Sequence, residues 1–357
     1  LVRKGCRLAQ PGEFTMRAYL NKKMDLSQAE AVADLIASSS AAAHKIALSQ
    51  MRGGFSDDLK LLRGKLIDFA SLIELELDFA EEDVEFANRT ELTNLIKQIN
   101  VRIDELVGSF KLGNVIKEGV QVAIIGEPNA GKSTLLNALL NEERAIVSSI
   151  AGTTRDTIED EIVIQGLKFR FIDTAGLRET SDEIESLGIS RALNKADNAD
   201  IIIYLFDAEQ TSSDHLNSEL AKLKKRTSET EAKLLVVANK VDKLENYVDS
   251  IFSNSIISIS AKNGDHIDLV RTALTDRVNT ESLKKEQTIV TNIRHVEALS
   301  NTKVSLEEAL IGFENDVPSD LVSIDIKKAL FHLGQITGEI SNDELLGNIF
   351  GKFCIGK

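Results

Sequence analysis

Apolar positions along this chain change their period twice. From Leu26 to Phe110 they recur at helical spacing. An alanine- and leucine-rich stretch, Leu26 to Arg52, is stopped by Gly53-Gly54; Leu59, Leu62, Leu66, Phe69, Ile73 and Leu77 follow, and after Thr90 come Leu92, Leu95, Ile99, Ile103, Leu106 and Phe110. With Ser27-x-x-Glu30 resembling a capping box, three helices are predicted before residue 118. The middle of the chain has short apolar runs instead: Val120 to Ile125, Ile158 to Ile164, Lys168 to Ile172, Leu234 to Ala238 and Ile256 to Ile259, with a helix-like stretch at Lys132 to Asn141. Helical spacing then returns over 291 to 313, 319 to 335 and 341 to 350, broken near Pro318 and Gly338, without strand-like alternation.

This order predicts an α/β domain with a doubly wound, mostly parallel sheet, inserted into an all-α helical domain built from both flanks. Independent helical domains on either side are the alternative. The 357 residues exceed the size, ~250 to 300 residues, at which one core gives way to several. Expected boundaries are 1–22 for an N-terminal piece, 23–117 and 281–357 for the two parts of the helical domain, and 118–280 for the α/β domain.

Composition narrows the class. The chain is 43% hydrophobic and 27% charged, with no apolar run near the ~20 residues a membrane helix needs and no secretory signal. Two cysteines, Cys6 and Cys354, do not make a disulfide framework and fit a reducing cytoplasm. The five histidines show no zinc spacing. A net charge of −14 argues against broad electrostatic binding of nucleic acid. Residues 1 to 23 are the local exception: Arg3, Lys4, Arg7, Arg17, Lys22 and Lys23 face one acid, Glu13, which suits either a solvated basic surface or an RNA or folate contact.

Chemistry concentrates in the middle. Gly126-Glu127-Pro128-Asn129-Ala130-Gly131-Lys132-Ser133 follows a strand and opens a helix, the arrangement of a phosphate cradle. Gly126 and Gly131 let backbone N–H groups converge, Ala130 and Thr134 complete the loop and first helical turn, Lys132 brings charge to the β- and γ-phosphates, and Ser133 offers Mg²⁺ a hydroxyl. Asn239-Lys240-Val241-Asp242 ends another strand. Asp242 can accept both the ring N–H and the exocyclic amine of guanine, a donor pair adenine lacks. Asn239 would tie this loop to the cradle, and Lys240 would lie over the base. Ser260-Ala261-Lys262 would give a backbone N–H to guanine O6. GTP is therefore the expected ligand.

Between these segments lie the parts that would sense the terminal phosphate. Asp173-Thr174-Ala175-Gly176 would place Asp173 near a Mg²⁺-bound water and the Gly176 N–H at the γ-phosphate. In Gly152-Thr153-Thr154-Arg155-Asp156-Thr157, Thr154 is the candidate Mg²⁺ ligand while the γ-phosphate is present. Leu177 stands close to where Ras-type GTPases carry a water-orienting glutamine, so Glu179, Asp182, Glu183 and Glu185 are candidates for that task. Arg155, Arg178 or a monovalent cation held partly by Asn129 would supply positive charge.

The combination G-E-P-N-A-G-K-S, S-S-I-A-G-T-T-R-D-T, D-T-A-G-L-R-E and N-K-V-D, with P-G-E-F-T-x-R-A-Y-L-N at Pro11 to Asn21 and F-C-I-G-K at Phe353 to Lys357, resembles the MnmE (TrmE) tRNA-modification GTPases over the whole chain. The resemblance implies K⁺ bound by Asn129 and by main-chain oxygens around Ser148, Ile150 and Thr153, homodimeric G domains switched on by that ion, and Glu185 as the water-orienting residue. It also implies an MnmG-like flavin partner and an aminomethyl or carboxymethylaminomethyl group added to C5 of the wobble uridine of certain tRNAs. The one-carbon unit would come from 5-formyl-tetrahydrofolate, for which Lys23 and Lys357 match contact positions. Residues 1–22 then read as a remnant of the family's folate-binding domain, with roughly a hundred residues of it expected to lie upstream of Leu1 and folate binding and dimerisation correspondingly in question.

Cys354 has three readings. Prenylation is disfavoured because Gly356 stands where a C-a-a-X terminus needs an aliphatic residue. The others are a thiol buried by helix packing and, by resemblance, a place near the one-carbon chemistry. Two other functions compete with the tRNA-modification GTPase: an Era- or Der-like GTP-switched ribosome-assembly factor, for which no G-x-x-G RNA-binding loop follows the α/β domain, and a dynamin-like membrane remodeller, for which no basic amphipathic segment is evident.

Overall fold

A computed structural model describes residues 4–78, 89–141, 160–172, 199–230, 232–244, 256–278, 288–315 and 317–340. The chain forms two compact units, one of residues 1–117 with 285–357 and one of residues 118–284. The helical unit is thus built from the sequence on both flanks of the α/β unit.

In the helical unit, α1 (Glu13–Leu20), α2 (Leu26–Ala37), α3 (Ala41–Met51), α4 (Gly54–Asp78) and α5 (Arg89–Glu118) come first. After the α/β unit come α9 (Ile293–Glu314) and α10 (Ser319–Thr337). Among the described residues, five helices therefore precede the sheet, not three. The single helix expected over Leu26 to Arg52 is two, because Ser38-Ser39-Ser40 interrupts it and the Ser40 hydroxyl accepts from the Ala43 N–H at 3.2 Å to start α3. The cap of α2 also lies two residues ahead of the expected Ser27. Asp25 caps it, accepting from the Gln28 N–H at 3.0 Å while the Gln28 side chain accepts from the Asp25 N–H at 2.9 Å. Ser27 only donates to Asp25, and Glu30 serves elsewhere.

One apolar core joins the two flanks, with Phe55, Leu59 and Leu66 of α4 and Ile99 and Ile103 of α5 clustered with Leu299 and Leu306 of α9 and Ile326 and Leu333 of α10. Beside it lies a buried ion cluster. Arg294 straddles the Glu30 carboxylate at 3.0 and 2.7 Å, and the His295 Nε2 meets the same carboxylate at 2.7 Å. Burial pushes the Glu30 carboxyl upward, but His295 and Arg294 together outweigh it and hold the group at about 2. The Gln50 side chain donates to the Ile289 carbonyl at 2.7 Å. Gly113 of α5 lies so close to the Val290 carbonyl that a Cβ there would collide with it.

The α/β unit holds a six-stranded sheet in the order β2-β3-β1-β4-β5-β6. Its strands are β1 (Val120–Gly126), β2 (Asp160–Ile164), β3 (Leu167–Phe171), β4 (Ile201–Asp207), β5 (Lys233–Asn239) and β6 (Ile256–Ser258), with helices α6 (Lys132–Asn141), α7 (Ser213–Thr230) and α8 (Ile267–Asp276). All pairings are parallel except the β2–β3 hairpin. The central strand β4, absent from the runs read off the sequence, is buried at every position, as expected of a parallel strand covered on both faces. Among the described residues no helix is long and apolar enough to cross a membrane.

Candidate nucleotide-binding site

Parallel strands β1, β4 and β5 end together, so the loops that follow them gather at one edge of the sheet, the position where doubly wound folds place ligands. The loop after β1 runs from Gly126 to Gly131 into α6, whose first turn carries Lys132, Ser133 and Thr134. Both glycines are obligatory. Gly126 (φ 156°) faces the Leu205 carbonyl and Gly131 (φ 97°) faces the Asn239 side-chain amide, and a Cβ at either would strike that neighbour. Asn129 adopts a left-handed φ of 61° and is exposed at the loop tip, while Ala130 is fully buried beneath it. Lys132 Nζ donates to the carbonyls of Gly126 and Glu127 at 3.1 and 2.8 Å, which keeps its charge within the loop.

Asn239 is the knot of the site. Its buried side chain donates from Nδ2 to the Ala130 carbonyl at 2.8 Å and accepts at Oδ1 from the Ala261 N–H at 3.0 Å. One residue therefore fixes the ends of three loops. The next, Lys240, has φ 66°, and its ammonium reaches Asp207 at 2.7 Å. Val241–Lys243 then makes a short 3₁₀ turn that leaves Asp242 exposed. Ser260 is fully buried and organises the third loop. Its carbonyl accepts from Gly264 and Asp265, its N–H donates to the Asp265 carbonyl, and its hydroxyl accepts from the Asn263 N–H. Ala261 is buried and Lys262 exposed.

Three neighbours were not legible as site residues. Asp207, the last residue of β4, is buried and sits in register with Asn239. His215 of α7 meets the loop carboxylate of Glu127 at 2.5 Å. Below it, the Tyr204 hydroxyl is buried with no hydrogen-bond partner among the described residues; burial, with the charges of Glu127 and Glu219 adding to it, pushes that group up to about 12. The signal for Asp207 was present, an acid closing the apolar run Ile201 to Phe206; for His215 there was none.

Fitness for a phosphate group and its cation can be tested on the cradle itself. The loop approaches its neighbours too closely for any side chain at Gly126 or Gly131, and it presents the first turn of α6, a lysine and a serine hydroxyl at one place. These residues suit Mg²⁺-nucleotide. Among the described residues no cluster of three or more His, Cys, Asp or Glu side chains could hold a metal alone. Ser148, Ile150, Thr153, Thr154, Asp173, Thr174, Ala175, Gly176 and Glu185 lie outside the described residues, as do Cys354 and Lys357. Lys23 belongs to the helical unit, exposed in the turn after α1. In the basic N-terminal stretch, Arg7 and Arg17 are both bound to Glu13 at 2.7 Å, and Arg7, the Gln10 N–H and Arg17 hold that carboxyl at about 2 against its burial.

The MnmE helical domain family matches residues 26–354. A protein of Cytophaga hutchinsonii named tRNA modification GTPase MnmE is 57% identical over 359 residues, which are 100% of this chain and 77% of that protein. Proteins of the same name from Flavobacterium psychrophilum and Bacteroides fragilis are 54% and 53% identical, each match covering 100% of this chain and 78% of the relative. Of solved structures, an Era variant from Aquifex aeolicus bound to GDP and tetrafluoroaluminate is 25% identical, covering 52% of this chain and 66% of its own at a TM-score of 0.33. The FeoB G domain of Methanococcus jannaschii is 26% identical over 44% of this chain and 97% of its own, at a TM-score of 0.30. On the family match and the full-length identities, this chain belongs to the MnmE family of tRNA modification GTPases.

Proposed function

We propose that the chain binds and hydrolyses GTP at the edge of the sheet where β1, β4 and β5 end, as one step in modifying C5 of the wobble uridine of certain tRNAs. The observation that carries the nucleotide reading is the pair of hydrogen bonds from Asn239, which brings the phosphate loop, the N-K-V-D turn and the S-A-K loop to one place. The tRNA part follows from family membership.

In this reading Gly126, Asn129, Ala130, Gly131 and Thr134 surround the phosphates with main-chain amides, and Lys132 neutralises the β- and γ-oxygens. Thr174, Ala175 and Gly176 would belong to the phosphate-binding set, with the Gly176 N–H meeting the γ-phosphate. Asp242 selects guanine by accepting its two donors, Lys240 covers the ring, and the backbone of Ser260, Ala261 and Lys262 faces O6. Ser133, Thr154 and Asp173 would hold Mg²⁺ and its water shell; the ion would neutralise charge on the terminal phosphates. A K⁺ ion would be held by Asn129 and the main chain at Ser148, Ile150 and Thr153, where it offsets charge that an arginine finger otherwise meets. Glu185 would orient the attacking water.

Pairing of two G domains, work with an MnmG-like flavin enzyme on tRNA, and 5-formyl-tetrahydrofolate as one-carbon donor, with Lys23, Lys357 and Cys354 near it, complete the proposal. Calorimetric titration of the full chain with GDP and ADP tests the first part, and tight GDP binding with no ADP binding is expected. Equal affinities would end the guanine reading. Nucleoside analysis of tRNA from a strain lacking the gene tests the second. Loss of the C5 group at wobble uridines is expected, whereas normal wobble uridines would favour the ribosome-assembly alternative.

A further inference from the structure

Asp207 stands out as a buried acid with a defined geometry and no assigned task. It closes β4, is 4% exposed, and spends its two carboxylate oxygens on different partners. Oδ1 accepts from the Glu209 N–H at 3.0 Å, which turns the chain away from the sheet, and the Thr211 N–H adds a bond to the Asp207 carbonyl. Oδ2 takes the Lys240 ammonium at 2.7 Å. A bond from the Ala208 N–H to the Asn239 carbonyl at 2.9 Å locks the two strand ends together, so the acid and the lysine approach across a fixed backbone.

Lys240 is held at both ends. Its backbone sits in the left-handed region at φ 66°, unusual for a side chain with a Cβ. Its ammonium is fastened to Asp207, so that both ends of a long, flexible side chain are tied to the strand ends. A buried carboxylate is costly unless it is paired. Neutralising it with a lysine between Asn239 and Asp242 also fixes a cation and its alkyl stem at the edge where the base would lie.

We infer that Asp207 is a positioning residue for purine recognition, acting through Lys240. This rests on the site being a guanine-nucleotide pocket. A preorganised charged contact that costs no ordering on binding contributes to affinity what a free lysine would lose.

The test is a double-mutant cycle on the full chain, with GDP binding read by calorimetry for the wild type, Asp207→Asn, Lys240→Met and the double variant. Asparagine keeps an acceptor for the Glu209 N–H and removes the ion pair. Asp207→Asn is expected to weaken GDP binding about tenfold, the scale of one charge-assisted hydrogen bond. The double variant should bind GDP as Lys240→Met does. Wild-type affinity in Asp207→Asn, or a double variant that loses the product of the two single effects, would overturn the inference, the latter by showing a structural role independent of Lys240.

Amine acylation of the wild type, read by mass spectrometry, tests the pair even if Asp207→Asn does not fold. Lys240 is expected to react more slowly than the exposed Lys262, and equal rates would also overturn the inference. A wild type that binds no GDP while its Lys240 is protected would instead discard the nucleotide reading and leave the ion pair standing.

Discussion

The helical unit and the α/β unit both join segments that are remote in sequence, and they do so with different materials. In the helical unit, α4 and α5 meet α9 and α10 through interlocked apolar side chains, and the charged contacts of Glu30 in α2 with Arg294 and His295 in α9 lie beside them. In the α/β unit the apolar strands fix only the scaffold. What brings the loops together at its edge is a few polar bonds from Asn239, Asp207 and Ser260 to main-chain and lysine groups. Side-chain packing is forgiving of shape and sets stability, whereas directional bonds at strand ends set the position of individual atoms. The contrast implies that stability and nucleotide affinity are separable by mutation.

The largest expected effect lies in the packed unit. Phe55→Ala, at a fully buried ring 5.1 Å from the His295 ring, should cost about 3 to 5 kcal/mol of stability. Denaturant unfolding followed by circular dichroism measures that loss, and GDP affinity in native buffer should stay at the wild-type value. A parallel fall in affinity would break the separation. Glu30→Gln comes next, at about 3 kcal/mol, because the Arg294 guanidinium loses the charge that balances it.

Glu30 also gives the contrast a pH signature. Its folded value of about 2 lies below the ordinary 4.5, so the folded state binds this proton less readily than the unfolded one. The contribution is complete above about 4.5 and is lost as pH falls from there toward 2. Unfolding midpoints between those values should fall less steeply in Glu30→Gln than in the wild type, and identical slopes would mean the carboxyl does not carry this term.

Asn239→Ala should act on both readouts, which locates the boundary of the contrast. Leaving the Ala130 carbonyl and the Ala261 N–H without their partner costs about 1 to 3 kcal/mol, and GDP affinity should fall with it. Unchanged affinity would show that the three loops hold their places without this side chain. The smallest effect is expected at His215→Ala. Its contact with Glu127 is solvent-exposed, and such pairs are worth about 0 to 1 kcal/mol. GDP titration should therefore find a change within about fivefold, and a larger loss would make His215 part of the site proper.

Legibility in the sequence followed the same division. Helical spacing located α4, α5, α9 and α10 because each buries one stripe against a common core. It missed the break at Ser38 to Ser40 and α1, since alanine-rich periodicity runs on through a serine turn and α1 has little buried apolar surface. It also placed the α2 cap at Ser27 when Asp25 and Gln28 form the capping box two residues earlier. In the α/β unit, glycine spacing marked the phosphate loop for a reason the structure makes plain: Leu205 and Asn239 leave no space for a side chain at Gly126 and Gly131. The tie from Asn239 to the loop could be anticipated from residue type alone. The Asp207–Lys240 and His215–Glu127 contacts could not, because each depends on which strands and helices become neighbours, and β4 itself was not recognised.

The core that unites α4 and α5 with α9 and α10 also dictates an order of assembly on the ribosome. Residues 118–284 emerge complete and can close their sheet while the remainder of their host is still being translated. The leading helices must meanwhile wait with an uncovered greasy seam, so chaperone demand during synthesis should centre on them and end only when the residues up to Thr337 have left the exit tunnel.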